Sequence, residues 1–395
     1  MDEGKSFDVL YLNFQKAFDK VDHERLMVKL DAVGIRGKLG EWIKDWLRGR
    51  RQRVKVNGCL SDWEDVVSSV IQGSVLGGIL FNIFIDDIDE AAIDALLRKF
   101  ADDTKVAQIV QNLENAEKFQ QVINQLGEWA ETWEMTFNVA KCKILHFGRK
   151  NPKYEYFMRG TKLEEATEEK DLGVWISTTL KPSKQCEAAA KTANFTLGQI
   201  QRTFHYRKKS HLVPLYRTFV RPKLEFSVAA WSPWTEADIS TLEKVQARAV
   251  RMINDKRGTT YEEKLSSVGL CSLKERRERG DVIQAFKTLN GFSRVDRNEW
   301  FEISGAEARA TRRTTSITED GEERRPGSLY GQSCNLEVRK NFYTVRVVSV
   351  WNALPDWVRQ QKTINGFKNA YDRWKTKHVD GNQSSRVAQE NEQNT

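Results

Sequence analysis

Two adjacent aspartates, Asp102 and Asp103, are the residues of this chain with the clearest chemical potential. They stand in the sequence Phe-Ala-Asp-Asp-Thr, where the apolar residues before the pair favour a strand and the carboxylates fall in an exposed turn. Mg²⁺ prefers oxygen ligands, and two such ions about 4 Å apart can activate a hydroxyl group and stabilise a phosphoryl transition state. A cage for the two ions needs paired carboxylates in a hairpin turn and a further carboxylate at the end of a neighbouring strand.

An acidic pair in a turn is usually only solvated, so the prediction depends on the motifs that accompany this pair. Residues 10–19 form a strand-like run followed by Lys-Ala-Phe-Asp, and residues 72–77 read Gln-Gly-Ser-Val-Leu-Gly. Both segments precede the aspartates, and this set of accompanying motifs, rather than the acidic pair alone, supports a metal-dependent site. We therefore expect Asn13, at the end of the first predicted strand, to lie beside Asp102 and Asp103.

The pattern of apolar residues predicts two domains of different kinds. An α+β domain is expected over residues 1–180 and a helical domain over residues 181–300. Strands are predicted at 9–12, 54–58, 96–110 (two strands hinged at the aspartates), 144–147 and 172–176, and helices after Asp22 and at 75–85, 113–133, 185–204, 212–220, 238–253 and 273–289. Residues 301–340 are predicted to be a flexible basic linker, 341–378 a small C-terminal apolar segment and 379–395 a disordered tail.

The composition adds weaker indications. A net charge of +8 and a pI of about 9.1 suit a polyanionic partner, although many soluble proteins share this balance. The five cysteines are widely spaced, and neither they nor the five histidines have the spacing of a zinc site. The polar start does not resemble a signal peptide, and no run of 18 apolar residues exists. We therefore expect a reduced intracellular protein that does not span a membrane.

With these motifs in this order, the chain resembles the reverse transcriptase of a non-LTR (LINE-type) retrotransposon of the jockey or chicken-repeat kind. The similar runs cover residues 11–24, 42–58, 70–84, 99–105, 133–143, 171–176, 220–231, 242–252 and 345–355. The resemblance implies a polymerase palm, an antiparallel sheet with packed helices, followed by a helical thumb-like domain. It also implies RNA-directed DNA polymerase activity, with Asp102 and Asp103 binding two Mg²⁺ ions. An RNA template, a DNA primer and deoxynucleoside triphosphates would be the partners, in a nuclear or cytoplasmic ribonucleoprotein.

The resemblance assigns roles to four further residues, each with a plainer alternative. Phe18 would lie beneath the incoming sugar and exclude a 2′-hydroxyl, or it is a core aromatic near a helix start. Gln72 and Gly73 would touch the incoming nucleotide and the template, or they form a simple turn. Lys141, in Phe-Asn-x-x-Lys, matches a lysine proposed to protonate the leaving pyrophosphate, or it is a solvated surface lysine.

The chain departs from the family pattern at a metal position. Asn13 stands where the family has aspartate, and Ile71 and Gly78 stand where it usually has proline. The chain also begins almost at the first motif, so the fingers and endonuclease regions are expected to be missing. We therefore expect an impaired polymerase. The alternatives are a catalytically dead relic that only binds RNA or DNA, and a host protein that uses the fold as an interaction scaffold.

Two basic clusters are candidates for binding nucleic acid, and a solvated helix end is the alternative for both. The candidate residues are Arg207, Lys208 and Lys209 in the helical domain, and Arg50 and Arg51 before the second motif. Lysine and arginine side chains are expected to concentrate around the groove between the palm and the helical domain.

Overall fold

The computed structural model of the protein describes residues 1–205, 208–253, 259–304 and 327–377. The chain divides into two compact units, one over Glu3–Leu180 and one that begins at Lys181. The strands of the first unit are β1 Phe7–Leu12, β2 Arg51–Gln52, β3 Lys55–Val56, β4 Cys59–Leu60, β5 Glu64–Asp65, β6 Leu96–Phe100, β7 Asp103–Ile109, β8 Lys143–Phe147, β9 Phe157–Met158, β10 Thr161–Lys162, β11 Glu164–Glu165, β12 Glu168–Asp171 and β13 Val174–Ser177. Its α-helices are α1 His23–Ala32, α2 Gly37–Leu47, α3 Val75–Phe84 and α4 Leu113–Thr132.

A five-stranded sheet organises the first unit, in the order β11-β8-β1-β7-β6. β1 pairs with both β7 and β8 in antiparallel fashion, β6 and β7 form a hairpin, and only the short edge strand β11 runs parallel to its neighbour. The predicted α+β class is therefore confirmed, and so are the predicted hairpin around the two aspartates and the helix after Asp22. The Asp22 carboxylate caps that helix by accepting a hydrogen bond of 2.8 Å from the Arg25 amide.

The central strand β1 is buried on both faces, which explains the apolar run over its residues 9–12. Leu10 and Leu12 point into a core with α1, α3 and α4, whereas Val9 packs with Leu145 and Phe147 on the other face. Burial on both faces fixes the register of β1, because a slip of one residue would exchange the two sets of side chains. β1 is thus a rigid support for whatever follows Leu12.

The described part of the second unit is helical. Its helices are α5 Ser183–Thr203, α6 Lys209–Leu215, α7 Arg221–Glu225, α8 Val228–Trp231, α9 Glu236–Ile253, α10 Tyr261–Val268, α11 Leu273–Leu289, α12 Arg297–Trp300, α13 Glu337–Lys340, α14 Tyr343–Asn352, α15 Asp356–Arg359 and α16 over 364–377. The helix predicted over 212–220, which Pro214 and Pro222 are expected to bound or bend, is divided in the structure. Pro214 lies inside α6, and a π-helical turn, Tyr216–Val220, follows that helix. A proline interrupts a helix because it lacks an amide hydrogen and clashes with the preceding turn.

The predicted linker and C-terminal segment contribute to the core of this unit. Phe301 and Leu329 are buried with Phe286, Trp351 and Phe367, although the first two were placed in a flexible linker. The linker prediction is therefore wrong at both described ends, because two isolated apolar residues in a polar segment gave no periodic signal. The remainder of that prediction, 305–326, and the predicted tail from residue 379 lie outside the described residues.

Within the described ranges, no helix combines the length and the apolar character needed to cross a bilayer.

Candidate nucleotidyl-transfer site

The sheet of the first unit ends in a pocket of about 360 Å³. The lining residues are Tyr11, Leu12, Asn13, Arg98, Lys99, Phe100, Asp103, Thr104, Lys105, Lys141, Glu169, Lys170, Asp171 and Leu172. Three of the sequence-predicted site residues, Asn13, Asp103 and Lys141, therefore face one cavity. Asp102 is not among the lining residues, but it adjoins Asp103 in the chain.

Strand pairing places Asn13 next to the aspartates. Leu12 is paired with Thr104 in two antiparallel strands. Asn13, the residue after Leu12, therefore lies beside Asp103, the residue before Thr104. On the other side of the hairpin Phe100 pairs with Asp103, which leaves a turn of two residues that contains Asp102. The first turn residue, Ala101, has a φ of 51°, a left-handed conformation that residues other than glycine rarely adopt. Strained backbone of this kind is frequent at functional sites.

Backbone contacts bring the segment of Lys141 to the same place. The Asn13 carbonyl accepts a hydrogen bond of 2.7 Å from the Asn138 amide, and the Asn13 amide donates to the buried Cys142 sulfur at 3.4 Å. One residue further on, Phe14 and Phe137 form a bridge and stack their rings with centroids 4.6 Å apart. The Phe-Asn-x-x-Lys segment is thus held against the end of β1, and Lys141 reaches the pocket from a 3-10 turn.

The pocket lining carries charges of both signs, with Asp103, Glu169 and Asp171 beside Arg98, Lys99, Lys105, Lys141 and Lys170. Partial burial raises the pKa of the Asp103 carboxyl above its usual range, and the charges of Asp102 and Asp171 raise it further. Lys105 opposes this shift and forms an ion pair with Asp171. Asp171 and Glu169 were not among the predicted site residues, because contacts between distant parts of the chain, such as the ion pair of Asp171 with Lys105, place them at the pocket. Residues 172–176 were predicted to form a strand, and the run 171–176 is one of those that resemble the family.

Replacing Asp103 by asparagine is expected to stabilise the fold slightly at neutral pH, by less than about 1 kcal/mol because the side chain is exposed. The raised pKa means that the charged carboxylate is disfavoured in the folded state. As the pH falls, Asp103 is protonated at a higher pH in the folded chain than in the unfolded chain, because its pKa is higher in the folded chain. The stability advantage of the asparagine variant is therefore lost as the pH falls through that pKa. Thermal unfolding of both proteins between neutral and acidic pH measures this difference, and a less stable Asp103→Asn variant at neutral pH would contradict the account.

The other predicted nucleotide contacts form a second cluster. Phe18 stacks on the fully buried Phe81 with ring centroids 4.5 Å apart, and its carbonyl accepts a hydrogen bond of 3.1 Å from the Val70 amide. Phe18 is itself only half-buried, so its structural role at the core leaves part of the ring accessible. Gln72 and Gly73 are exposed in the following turn, and the φ of 85° at Gly73 requires glycine.

Gly77 is a residue of this motif that sequence analysis did not single out. The Ser74 hydroxyl caps α3 by accepting a hydrogen bond of 2.9 Å from the Gly77 amide, and it donates to the Ile71 carbonyl at 2.8 Å. A Cβ atom on Gly77 would overlap that carbonyl oxygen and lie 2.8 Å from the Ser74 hydroxyl. At Gly78 the added atom would meet nothing within 4 Å. Close packing of the turn therefore requires glycine only at Gly77.

Gly77→Ala is expected to destabilise the first unit by about 1–3 kcal/mol, since the turn must open to admit the methyl group. Gly78→Ala is the matched control, and it should be neutral or gain up to about 1 kcal/mol from helix propensity. Urea unfolding midpoints of the two variants test the difference. Equal midpoints would show that the turn adapts without cost.

The predicted nucleic-acid contacts differ in what their side chains do. Arg50 donates to the Leu47 and Ser69 carbonyls at 2.8 and 2.7 Å, so its guanidinium ties α2 to the segment before the second motif and has a structural role. Arg51 is exposed and forms an ion pair of 3.3 Å with Asp65. Lys208 is exposed and Lys209 donates to the Ser267 carbonyl at 2.6 Å. Arg207 lies outside the described residues.

The donor set fits a weakened site for divalent ions. Asp102 and Asp103 carry carboxylate oxygens, which are the ligands that Mg²⁺ prefers. The negative charges of Asp102 and Asp171, which help to raise the pKa of Asp103, would be partly neutralised by a bound cation. Across the ranges that the structure describes, however, no three His, Cys, Asp or Glu side chains are grouped so that they could hold a metal ion. The Asn13 side chain, which lines the same pocket as Asp103, is a neutral amide and brings no negative charge.

Comparisons with known proteins find similarities over much of the chain. Residues 3–188 match the family described as "Reverse transcriptase (RNA-dependent DNA polymerase)". The RNA-directed DNA polymerase from the mobile element jockey of Drosophila funebris is 27% identical over 261 residues, which cover 62% of this chain and 28% of that protein. The Drosophila melanogaster jockey polymerase is 25% identical over 64% of this chain and 29% of its own length. The chain thus spans less than a third of these relatives.

Two further similarities are more distant. The probable RNA-directed DNA polymerase from the Drosophila melanogaster X-element is 24% identical over 62% of this chain and 28% of that protein. Among solved structures, telomerase from Candida albicans in complex with a fragment of telomeric RNA superposes with a TM-score of 0.38 and 11% identity, covering 68% of this chain and 51% of that chain.

Proposed function

We propose that the chain is an RNA-directed DNA polymerase impaired at one metal position, because residues 3–188 match the reverse transcriptase family and the chain is similar to the polymerases of jockey-type non-LTR retrotransposons. The reaction would be the addition of deoxynucleotides to a DNA primer on an RNA template. A nuclear or cytoplasmic ribonucleoprotein is the proposed setting.

The observation that supports this proposal most directly is the shared pocket of Asn13, Asp103 and Lys141. These residues come from three separate sequence motifs, and β1 is the common support that brings them together. An acidic turn that is only solvated needs no such neighbours. Here hydrogen bonds of Asn13 to Asn138 and Cys142 hold the segment that contains Lys141 against the end of β1. The arrangement suits a reaction that needs both bound cations and a proton donor.

The metal site in this proposal consists of Asp102 and Asp103, with further oxygen ligands from the substrate phosphates. Two Mg²⁺ ions, when bound, would activate the primer 3′-hydroxyl and stabilise the charge of the transferred phosphoryl group. Asn13 offers one neutral oxygen and no charge. Because a carboxylate binds a divalent cation far better than an amide, we infer that both the affinity for Mg²⁺ and the rate are reduced.

The remaining proposed roles follow the two clusters. Lys141 would donate a proton to the pyrophosphate as it leaves, since its ammonium group faces the same pocket as Asp103. Phe18 would present the accessible part of its ring to the sugar of the incoming nucleotide, held in place by its stack on Phe81. Gln72 and Gly73, exposed in the adjacent turn, would contact the nucleotide and the template.

A catalytically dead relic that only binds RNA or DNA is the second candidate, and Asn13 is the specific observation in its favour. RNA-templated primer extension separates the two. An Asn13→Asp chain should extend a DNA primer on an RNA template with deoxynucleotides, whereas the same chain with Asp102→Ala should not. If Asn13→Asp is inactive while the folded chain still binds template–primer, the relic is the correct assignment.

A further inference from the structure

A separate feature of the first unit is an exposed hairpin arm, residues 51–65. Its base is held by the pairs Arg51–Asp65 and Gln52–Glu64, and its tip by the short strands β3 and β4 around a turn at Asn57. Every residue from 51 to 65 is exposed to solvent. A two-stranded ribbon without a covering layer is only marginally stable in water, so an arm of this kind gains stability from a partner.

The two faces of the arm differ in chemistry. Residues 53 and 54 connect the short strands β2 and β3. Because side chains alternate along an extended segment, Lys55 is expected on the face of Arg51 and Arg53, and residues 54 and 56 on the other. Trp63 belongs to the basic face, since the Arg53 guanidinium carbon lies 4.5 Å from its ring centroid and that of Arg51 lies 5.9 Å away. About half of the Trp63 surface, 48%, remains exposed.

The charges of this face are only partly balanced. Asp65 pairs with Arg51 at 3.3 Å, in a solvent-exposed contact of little strength. Within the described part of the chain, neither Arg53 nor Lys55 forms an ion pair. The basic face therefore presents two uncompensated cations and one weakly paired cation beside an accessible indole.

We propose that this face of the 51–65 arm binds single-stranded nucleic acid, with Trp63 stacking on a base and Arg51, Arg53 and Lys55 contacting phosphates. Aromatic side chains flanked by cations bind single strands without reading their sequence, because every base has a face on which to stack. Residues two apart on a strand are separated by about 6.7 Å, roughly twice the rise per nucleotide of a stacked strand. A duplex would offer the indole no free base face, so the single strand is the favoured ligand. The inference rests on the proposed function only for the expectation that nucleic acid is available to the protein.

The test is a direct binding measurement on the 395-residue chain. Labelled oligothymidylate and oligouridylate are titrated by fluorescence anisotropy at several salt concentrations, so that DNA and RNA strands are distinguished. The combined variant Arg51→Gln, Arg53→Gln and Lys55→Gln should reduce the slope of log affinity against log salt by about 2, since each phosphate contact on a single strand contributes about 0.7. Trp63→Leu should weaken binding about tenfold and leave the slope unchanged.

The matched control is Val54→Thr with Val56→Thr, which alters the opposite face of the same arm and should bind as the unchanged chain does. Circular dichroism verifies that all the variants are folded. The proposal is overturned if the unchanged chain binds neither oligonucleotide. It is also overturned if the chain binds them but neither Trp63→Leu nor the glutamine variant changes that binding. Self-association that is lost in the glutamine variant would assign the arm to a second copy instead. An Asn13→Asp chain without polymerase activity that still shows the Trp63 effect would contradict the proposed function and leave the arm assignment intact.

Discussion

Restoring a carboxylate at position 13 is expected to increase RNA-templated primer extension by about 10²–10⁴-fold. In the folded chain Asn13 directly follows β1 and lies beside Asp103. Asn13→Asp would therefore return a formal charge to the same pocket. The added charge should also tighten Mg²⁺ binding, because carboxylate oxygens are the ligands this ion prefers. Without the ion the variant should be slightly less stable, since a further negative charge would approach Asp102 and Asp103.

The measurement compares initial extension rates of the unchanged chain, Asn13→Asp, and Asn13→Asp with Asp102→Ala over a range of Mg²⁺ concentrations. The comparison is made in the 395-residue chain and in a longer protein that carries an upstream fingers segment from a jockey-type relative. Asp102→Ala sets the background, and the stability of Asn13→Asp with and without Mg²⁺ provides a readout that does not depend on turnover. If the unchanged chain extends primer as fast as the variant in the longer protein, the carboxylate is not needed and our account of the site is wrong.

The parts of the fold that sequence predicted have strong local signals. The helix over 113–133 was evident from its apolar periodicity, and the structure has α4 over Leu113–Thr132. Apolar runs on both sides of the aspartates indicated the hairpin of β6 and β7. The cap by Asp22 followed from the preference of carboxylates for the unpaired backbone amides at the start of a helix. Each of these features depends on residues close together in the chain, so a single sequence contains the information.

The parts that were missed depend on contacts between distant residues. Asp171 lies at the pocket of Asp103, where it forms an ion pair with Lys105, a residue 66 positions away in the chain. Arg50 is predicted to bind nucleic acid because its neighbourhood is basic, and nothing in the sequence indicated that its guanidinium also donates to the Leu47 and Ser69 carbonyls. Leu329 gave no signal because its neighbours are polar, although it is fully buried. Composition near a residue does not reveal its partners in three dimensions.

A buried polar network behind the site illustrates the same limit. Asp8, on β1, is completely buried and lies opposite His146 of β8. Its carboxylate accepts hydrogen bonds from the Tyr156 hydroxyl at 2.6 Å and from the Asn151 amide at 2.7 Å, and it lies 2.7 Å from Nδ1 of His146. Burial and the neighbouring carboxylate raise the pKa of Tyr156, which therefore remains a hydrogen-bond donor. These contacts offset the cost of placing a carboxylate in the sheet.

Asp8→Ala is expected to destabilise the first unit by about 3–5 kcal/mol, because it leaves the buried Tyr156 hydroxyl and the His146 ring without this acceptor, whereas Asn151 keeps the Phe7 and Phe147 carbonyls. Asp8→Asn should also be strongly destabilising, since its amide would direct donors at groups that already donate. The matched control is Asp31→Asn, which removes an exposed carboxylate paired with Arg36 and should change stability by less than about 0.5 kcal/mol. Urea unfolding gives the magnitudes, and hydrogen exchange at the amides of β1 and β8 shows whether the loss is centred on this pair of strands.

A double-mutant cycle with Tyr156→Phe separates the network from a general effect of mutation in the sheet. Tyr156→Phe alone should cost about 1–3 kcal/mol, because the carboxylate then loses one of its donors. In an Asp8→Ala background the same change should cost little, because the hydroxyl no longer has an acceptor there. Since β1 also supports Asn13, loosening of this network should reduce primer extension by Asn13→Asp more than it reduces binding of oligothymidylate by the arm. Additive costs in the cycle, or Asp8→Ala as stable as Asp31→Asn, would show that the buried carboxylate is not what fixes β1 in place.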